Sequence, residues 1–245
     1  MKFLRKLLLV TAFLSPVFAE SQSDADLSET ENESIEINDP LEPFNRTVYA
    51  VNSVIDGLVM KPLAITWRLV LPPPVRDSAG NVLTNIKSPI TVTNHLLQGE
   101  PKRAATSLGR FLINTTVGIL GIFDAATELG LPGEETSFNE TLGVWGVNTG
   151  PYLIVPVIGP SSFRHVVGMG GDYFMQPYNY YFNGDSHHGD SWVPMAITGV
   201  NAVHQRNLVL ETVDDVVDNS ADPYATFRSA YFQSQAHRIK KLKEN

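Results

Sequence analysis

Apolar residues recur along most of this chain at steps of three and four, a spacing that predicts a mainly α fold. Leu41, Phe44, Val48, Val51, Ile55 and Leu58 form one stripe. Asp39 is expected to cap this helix, with Pro40 at its first position and Glu42 completing a capping box, and the helix to end near Gly57. Lys61-Pro62 opens a second helix with Leu63, Trp67 and Val70, and Pro72-Pro73-Pro74 stops it. Val75, Ala79, Val82 and Ile86 mark a third, and the apolar run 89–97 ends at Gln98-Gly99, a helix end. A long helix from Glu100 or Pro101 is expected to continue through Gly118 and Gly121, whose missing side chains favour close approach of another backbone. Residues 130–164 lose the helical period. Tyr152–Ile158 reads as a buried strand interrupted by Pro156, and no strand pair is predicted. Mixed helix and loop follow over 165–190, then helix over 192–218. A last helix is opened by Asp222-Pro223, with Tyr224, Phe227 and Tyr231 on one face.

The stretch from Gly109 to Pro160 organises the rest. Its first half, Phe111–Ala126, holds a single ionisable residue, Asp124, whereas a water-soluble helix keeps a polar face. As a helix it spans roughly 24 Å, short of the ~30 Å of bilayer hydrocarbon. It is either the centre of a soluble core or an element that dips into a membrane without crossing it. Its second half (Leu142 to Gly146, Gly150-Pro151-Tyr152, Gly159-Pro160) is a Gly/Pro-rich apolar hairpin.

Composition adds a compartment. Residues 1–19 read as a signal peptide: Lys2, Arg5 and Lys6, then the apolar Leu7–Leu14, then Val17-Phe18-Ala19. Removing them takes the formal charge from −8 to −11. Eight acids between Glu20 and Asp39 account for most of that, so residues 20–38 read as a disordered acidic leader. Without those eight acids, residues 40–245 carry only −3, so the acidity lies in the leader; residues 39–235 read as the helical domain and 236–245 as a basic tail. The sequence contains no cysteine, which excludes disulfides, thiolate metal sites, a cysteine nucleophile and an acylated cysteine. Membrane attachment would then rest on apolar surface. The only basic run, Arg238–Lys243, is too short to suggest nucleic-acid binding.

Catalytic patterns are scarce, and neither a cofactor nor a metal is expected. Gly168-Met169-Gly170-Gly171 misses the dinucleotide spacing. Asp185–Asp190, with His187 and His188, reads as a polar loop tip. What remains is charge in apolar context: Arg46, Arg110, Asp124, Arg164 and Asp172. Such charges are costly to bury unless paired or wetted. They fit surface positions, structural ion pairs or a polar, water-filled passage. Gly143, Gly146 and Gly150 fit either tight turns or the hinges of a gate.

From Asp39 to Arg46 (DPLEPFNR) the chain resembles the MlaA/VacJ family of outer-membrane phospholipid-transport proteins. The likeness continues in order through Trp67-Arg68, Pro72–Arg76, Leu97-Gln98-Gly99, Gly109-Arg110-Phe111, Gly118–Asp124, Thr141–Gly143 with Trp145-Gly146, Gly150-Pro151-Tyr152, Gly159–Ser162 with Arg164, and Ser220–Tyr224. The resemblance implies a ring of amphipathic helices in the periplasmic leaflet of an outer membrane, around a polar channel. Phospholipids misplaced in the outer leaflet would pass through it to a soluble periplasmic carrier, MlaC, and trimeric porins would be associates. Within that reading, Arg46, Arg110, Asp124, Arg164 and Asp172 would meet headgroups. The chain departs from many relatives in lacking a lipobox cysteine. The other readings are a periplasmic lipid hydrolase using Ser161 or Ser162 with His165, and a structural envelope protein.

Overall fold

The computed structural model describes Ile37, residues 39–183 and residues 192–244, with 181–183 as backbone alone. The expected signal peptide, the acidic leader apart from Ile37, and the Asp185–Asp190 segment lie outside the described residues. Helix α1 (Glu42–Ile55), a π-helical turn (Asp56–Met60) and α2 (Lys61–Val70) form one continuous helix of 29 residues. The break expected at Gly57 is absent. Pro62 brings no N–H, and the wider turn before it, in which Lys61 N–H bonds to Asp56 O, lets the helix continue. This helix is long and apolar enough to cross a membrane, unlike the short segment on which the sequence reading concentrated. Its first residue is Glu42, and Leu41 sits at the cap with no side-chain bond. The expected Asp39 cap fails because distant partners win. The Asp39 carboxylate accepts hydrogen bonds from Asn45 Nδ2 (2.9 Å), Tyr224 OH (2.5 Å) and Arg228 Nη1 (2.6 Å).

Helix α3 (Pro73–Leu97) is likewise one element through Pro89, closed by Gly99 at φ 79°. Helix α4 (Pro101–Thr116) lies against it but ends well before the expected Ala126. The chain turns there, with Ile119, Leu120 and Gly121 all at positive φ (53°, 58° and 90°). The close backbone approach expected of the glycines is met at Gly118, where a Cβ would collide with the Phe123 carbonyl; at Gly121 it is the Asn85 side chain of α3 that comes close, its Cβ 2.6 Å from where a Cβ would lie. Short α5 (Ala125–Glu128) follows, then α6 (Phe138–Val144), which is opened by a Ser137/Glu140 capping box.

A strand pair exists, contrary to expectation. Strands β1 (Tyr152–Val155) and β2 (Gly159–Ser162) are antiparallel, with Tyr152 opposite Ser162 and Val155 opposite Gly159. Pro156 falls in the turn, where it breaks no ladder bond. Helices α7 (Phe163–Met175), α8 (Pro177–Asn183), α9 (Val193–Leu208), α10 (Leu210–Asn219) and α11 (Pro223–Glu244) complete the chain. Asp222 does cap α11, its Oδ1 accepting Ala225 N–H.

The fold is mainly α, and its contacts close a ring. Helix α1 packs on β1, β2 on α11, α11 on α6, α6 on α3, α3 on α9, and α9 on α2. Two asparagines seven residues apart, on one face of α1, complete the free edge of the hairpin. Asn45 donates to Tyr152 O (3.0 Å) and accepts from Ile154 N (2.9 Å). Asn52 donates to Val155 O (3.1 Å) and accepts from Val157 N (2.8 Å). Side chains thus stand in for a third strand on an edge that would otherwise be unpaired.

Burial is inverted relative to a water-soluble domain. Buried polar side chains outnumber buried apolar ones, and the aromatic core is small: Val48, Tyr152, Ile154, Tyr224, Tyr231 and Phe232. Large apolar side chains face outward instead, among them Phe44 and Val51 on α1, Leu58 in the π turn, Leu69 on α2 (80% exposed), Leu112 on α4 and Leu120 at the turn (68%). Asn45→Ala strands the Tyr152 carbonyl and the Ile154 N–H in the interior. We expect it to lower stability by about 2–4 kcal/mol, read as an earlier thermal unfolding transition of the detergent-purified protein.

Candidate functional site

On one side of the ring lies a half-open cavity of about 300 Å³. It lies between the π turn with the end of α1, the hairpin tip, α9–α10 and Phe227 of α11. Most of its wall is apolar: Tyr49, Ile55, Met60, Ile154, Val157, Ile158, Val213 and Val217. One side is charged. Arg206, its side chain 7% exposed, donates from Nε and Nη2 to the two Asp56 oxygens (2.7 and 2.9 Å) and from Nη2 to Asp214 (3.2 Å). Lys61 Nζ bonds the other Asp214 oxygen at 3.0 Å. Asp218, one helical turn beyond Asp214, also lines the cavity.

The π turn explains the juxtaposition. On an α-helix, residues five apart point roughly 140° away from each other at 100° per residue. An i→i+5 turn winds fewer degrees per residue and brings Asp56 and Lys61 towards one face. Burial raises the Asp214 carboxyl, but the bonds from Lys61 and Arg206 outweigh it and hold it below its ordinary value. Both cations of the cavity are therefore engaged by internal carboxylates.

The five charged residues singled out in the sequence lie elsewhere, and none lines this cavity. Arg46 is on the surface, bridging Glu42 (2.8 Å) and Asp222 (2.6 Å) over the Tyr224 ring. Arg110 and Asp124 come together: Arg110 Nη2 bonds both Asp124 oxygens (2.9 and 2.8 Å), and Nη1 bonds Leu131 O and Thr127. This pair ties the turn after α4 to α4 itself. Arg164 is buried, donating to Asn139 Oδ1 (3.1 Å) and Val147 O (2.9 Å). Asp172 is buried too, its Oδ1 accepting from Asn94 Nδ2 (3.1 Å) and Phe138 N (2.9 Å). Among the candidate hinges, Gly143 lies inside α6, where a Cβ would meet Ile239 Cδ1 at 2.6 Å. Gly146 and Gly150 have positive φ (90° and 71°) and flank the segment leading into the hairpin. Ser161 Oγ is 3.0 Å from His165 Nδ1, but both are buried and neither lines the cavity.

The cavity charges Asp56, Lys61, Arg206, Asp214 and Asp218 escaped the sequence reading. Arg206 left a signal, as the one arginine in the helical stretch 192–218. Its partners depend on the π turn, which no residue spacing announced.

Residues 37–238 match the family described as MlaA lipoprotein. The chain belongs to the MlaA family. The intermembrane phospholipid transport system lipoprotein MlaA of Haemophilus influenzae is 34% identical over 211 residues, 83% of this chain and 80% of that protein. Its Escherichia coli counterpart is 33% identical over 202 residues, 80% and 76%. An uncharacterized protein of Rickettsia felis is 35% identical over 241 residues, 95% and 93%. A solved structure described as the structural basis for maintenance of bacterial outer membrane lipid asymmetry superposes with a TM-score of 0.71 at 33% identity, covering 82% of this chain and 98% of that one. MlaA membership accords with the helical ring.

Asp172 supplies a pH test. Burial pushes its carboxyl up to about 7, with Glu140 adding to the rise and the Phe138 N–H, Asn94 and Lys87 opposing it. Its folded value lies above the ordinary 3.8. Its contribution to stability is therefore full at low pH and fades as pH rises through about 7. Asp172→Asn keeps the Oδ1 acceptor and removes the titration. The stability of the variant relative to the parent should climb between pH 5 and pH 8 by an amount on the order of a few kcal/mol, read as a rising relative thermal midpoint. A constant offset across that range would rule this out.

Proposed function

We propose that this protein maintains outer-membrane lipid asymmetry, passing outer-leaflet phospholipids through its ring towards a periplasmic carrier. The observation that carries the reading is the inverted burial: apolar side chains face outward from a closed ring, and the ring holds a cavity that is apolar on most sides and charged on one. A phospholipid has that same division between acyl chain and headgroup. Transfer through such a passage is passive. Tails meet apolar wall while the charged side replaces headgroup water. The relatives named for phospholipid transport support the same reading. The headgroup contacts first expected of Arg46, Arg110, Asp124, Arg164 and Asp172 are assigned here to the cavity charges, because the pairs around those five serve the fold.

Cells lacking the protein should accumulate phospholipid in the outer leaflet and become sensitive to detergent. Re-expression of either the parent chain or Ser161→Ala should restore the barrier. Restoration by the parent but not by Ser161→Ala would favour the hydrolase reading, in which the Ser161–His165 contact is chemical. Normal leaflet composition in the null strain would remove the transport reading.

The apolar exterior is also proposed to hold the protein in the membrane, since none of its 245 residues is an acylable cysteine. About 25 cal/mol per Å² of buried apolar area makes a few outward leucines and phenylalanines equivalent to an acyl chain. The protein should stay with the membrane pellet after carbonate washing. Its full release into the supernatant would contradict this anchoring.

A further inference from the structure

We infer that the cavity selects zwitterionic phospholipids with an amine-bearing headgroup over anionic ones, and that Asp218 is the residue that sets the preference. This rests on the lipid-passage reading above and names its substrate class. Five charged side chains line the cavity: Asp56, Lys61, Arg206, Asp214 and Asp218. Both cations are committed, Arg206 to Asp56 and Asp214, and Lys61 to Asp214. Three carboxylates against two cations leave the cavity net negative, and the charge with no ion-pair partner among the described residues is the exposed Asp218 carboxylate on α10.

Asp214 and Asp218 are four residues apart on one helix face, about 5–6 Å between their Cβ atoms. A lipid phosphate sharing Lys61 and Arg206 with Asp214 would sit one turn from Asp218. A primary ammonium carried on a two-carbon spacer from that phosphate reaches the Asp218 carboxylate. An anionic headgroup with a neutral polyol places its phosphate on the same two cations but brings no ammonium to Asp218, which it meets as a like charge. At a few ångströms beside an exposed carboxylate, that difference is worth a few-fold in occupancy.

The test uses the full chain, purified in detergent and equilibrated with equimolar phosphatidylethanolamine and phosphatidylglycerol, with bound lipid counted by native mass spectrometry. The parent should carry several-fold more phosphatidylethanolamine. Asp218→Asn should bring the ratio near one, and Asp218→Lys should invert it, with unchanged thermal midpoints because the side chain is exposed. Lipid bound at an equal ratio by the parent, or a preference unmoved by Asp218→Lys, overturns the inference and leaves the passage intact. Absence of bound phospholipid of either kind, together with normal leaflet composition in null cells, removes both.

Discussion

Burying a polar side chain is costly unless it finds a partner, so the polar interior of this ring depends on hydrogen bonds between its elements. That constraint explains where the polar residues are. Asn45 and Asn52 close the hairpin edge. Asn94 joins Thr141 to Asp172, and Gln98 reaches Thr136 and Thr141. Asn114 links the Asp124 carboxylate to Ala126 N–H beside Arg110. These side chains do for this ring what apolar packing does for a soluble bundle. They also fix orientation, since each bond has a direction that a leucine contact lacks.

The helical character of the chain was plain from its periodicity, and so was its last helix, because Asp222-Pro223 is a strong local start. Other boundaries were not local matters. Asp39 has a good capping sequence, yet Tyr224 and Arg228, far along the chain, claim its carboxylate. One helix was expected to end near Gly57 and another to open at Lys61-Pro62, but a π turn joins the two, and the segment 89–97, read as a separate run, belongs to one long helix through Pro89. Pro156 argued against a strand because the sequence does not say whether a proline sits in a strand or in its turn. The apolar stripe read over Leu41–Leu58 divides in the structure, Val48 turning into the core and Ile55 to the cavity while Phe44, Val51 and Leu58 face outward. That division was not legible, since the 3.6 period gives a face and not what that face meets.

The site was less legible than the fold. Isolated charges in apolar sequence drew attention to Arg110 and Asp124, and they do meet, but as a clamp on a turn. The cavity charges come from the π turn, the start of α2, α9 and α10 and converge only once these elements pack together. Their sequence separations, 150 residues between Arg206 and Asp56, carry no pattern. Membership of the MlaA family was carried by many short motifs in order, which is why it was recoverable when individual roles were not.

The turn after α4 has a consequence for where this protein can live. Ile119 and Leu120 both hold left-handed backbone, a conformation that costs non-glycine residues about 1–3 kcal/mol each, while their side chains point outward. In water the chain would lose twice, in backbone strain and in bare hydrocarbon. Sunk among acyl chains, the same two side chains recover roughly 1.5–3 kcal/mol apiece, which offsets the distortion. With the proposed membrane placement, this strained turn is one of the parts of the ring that gain most from contact with acyl chains.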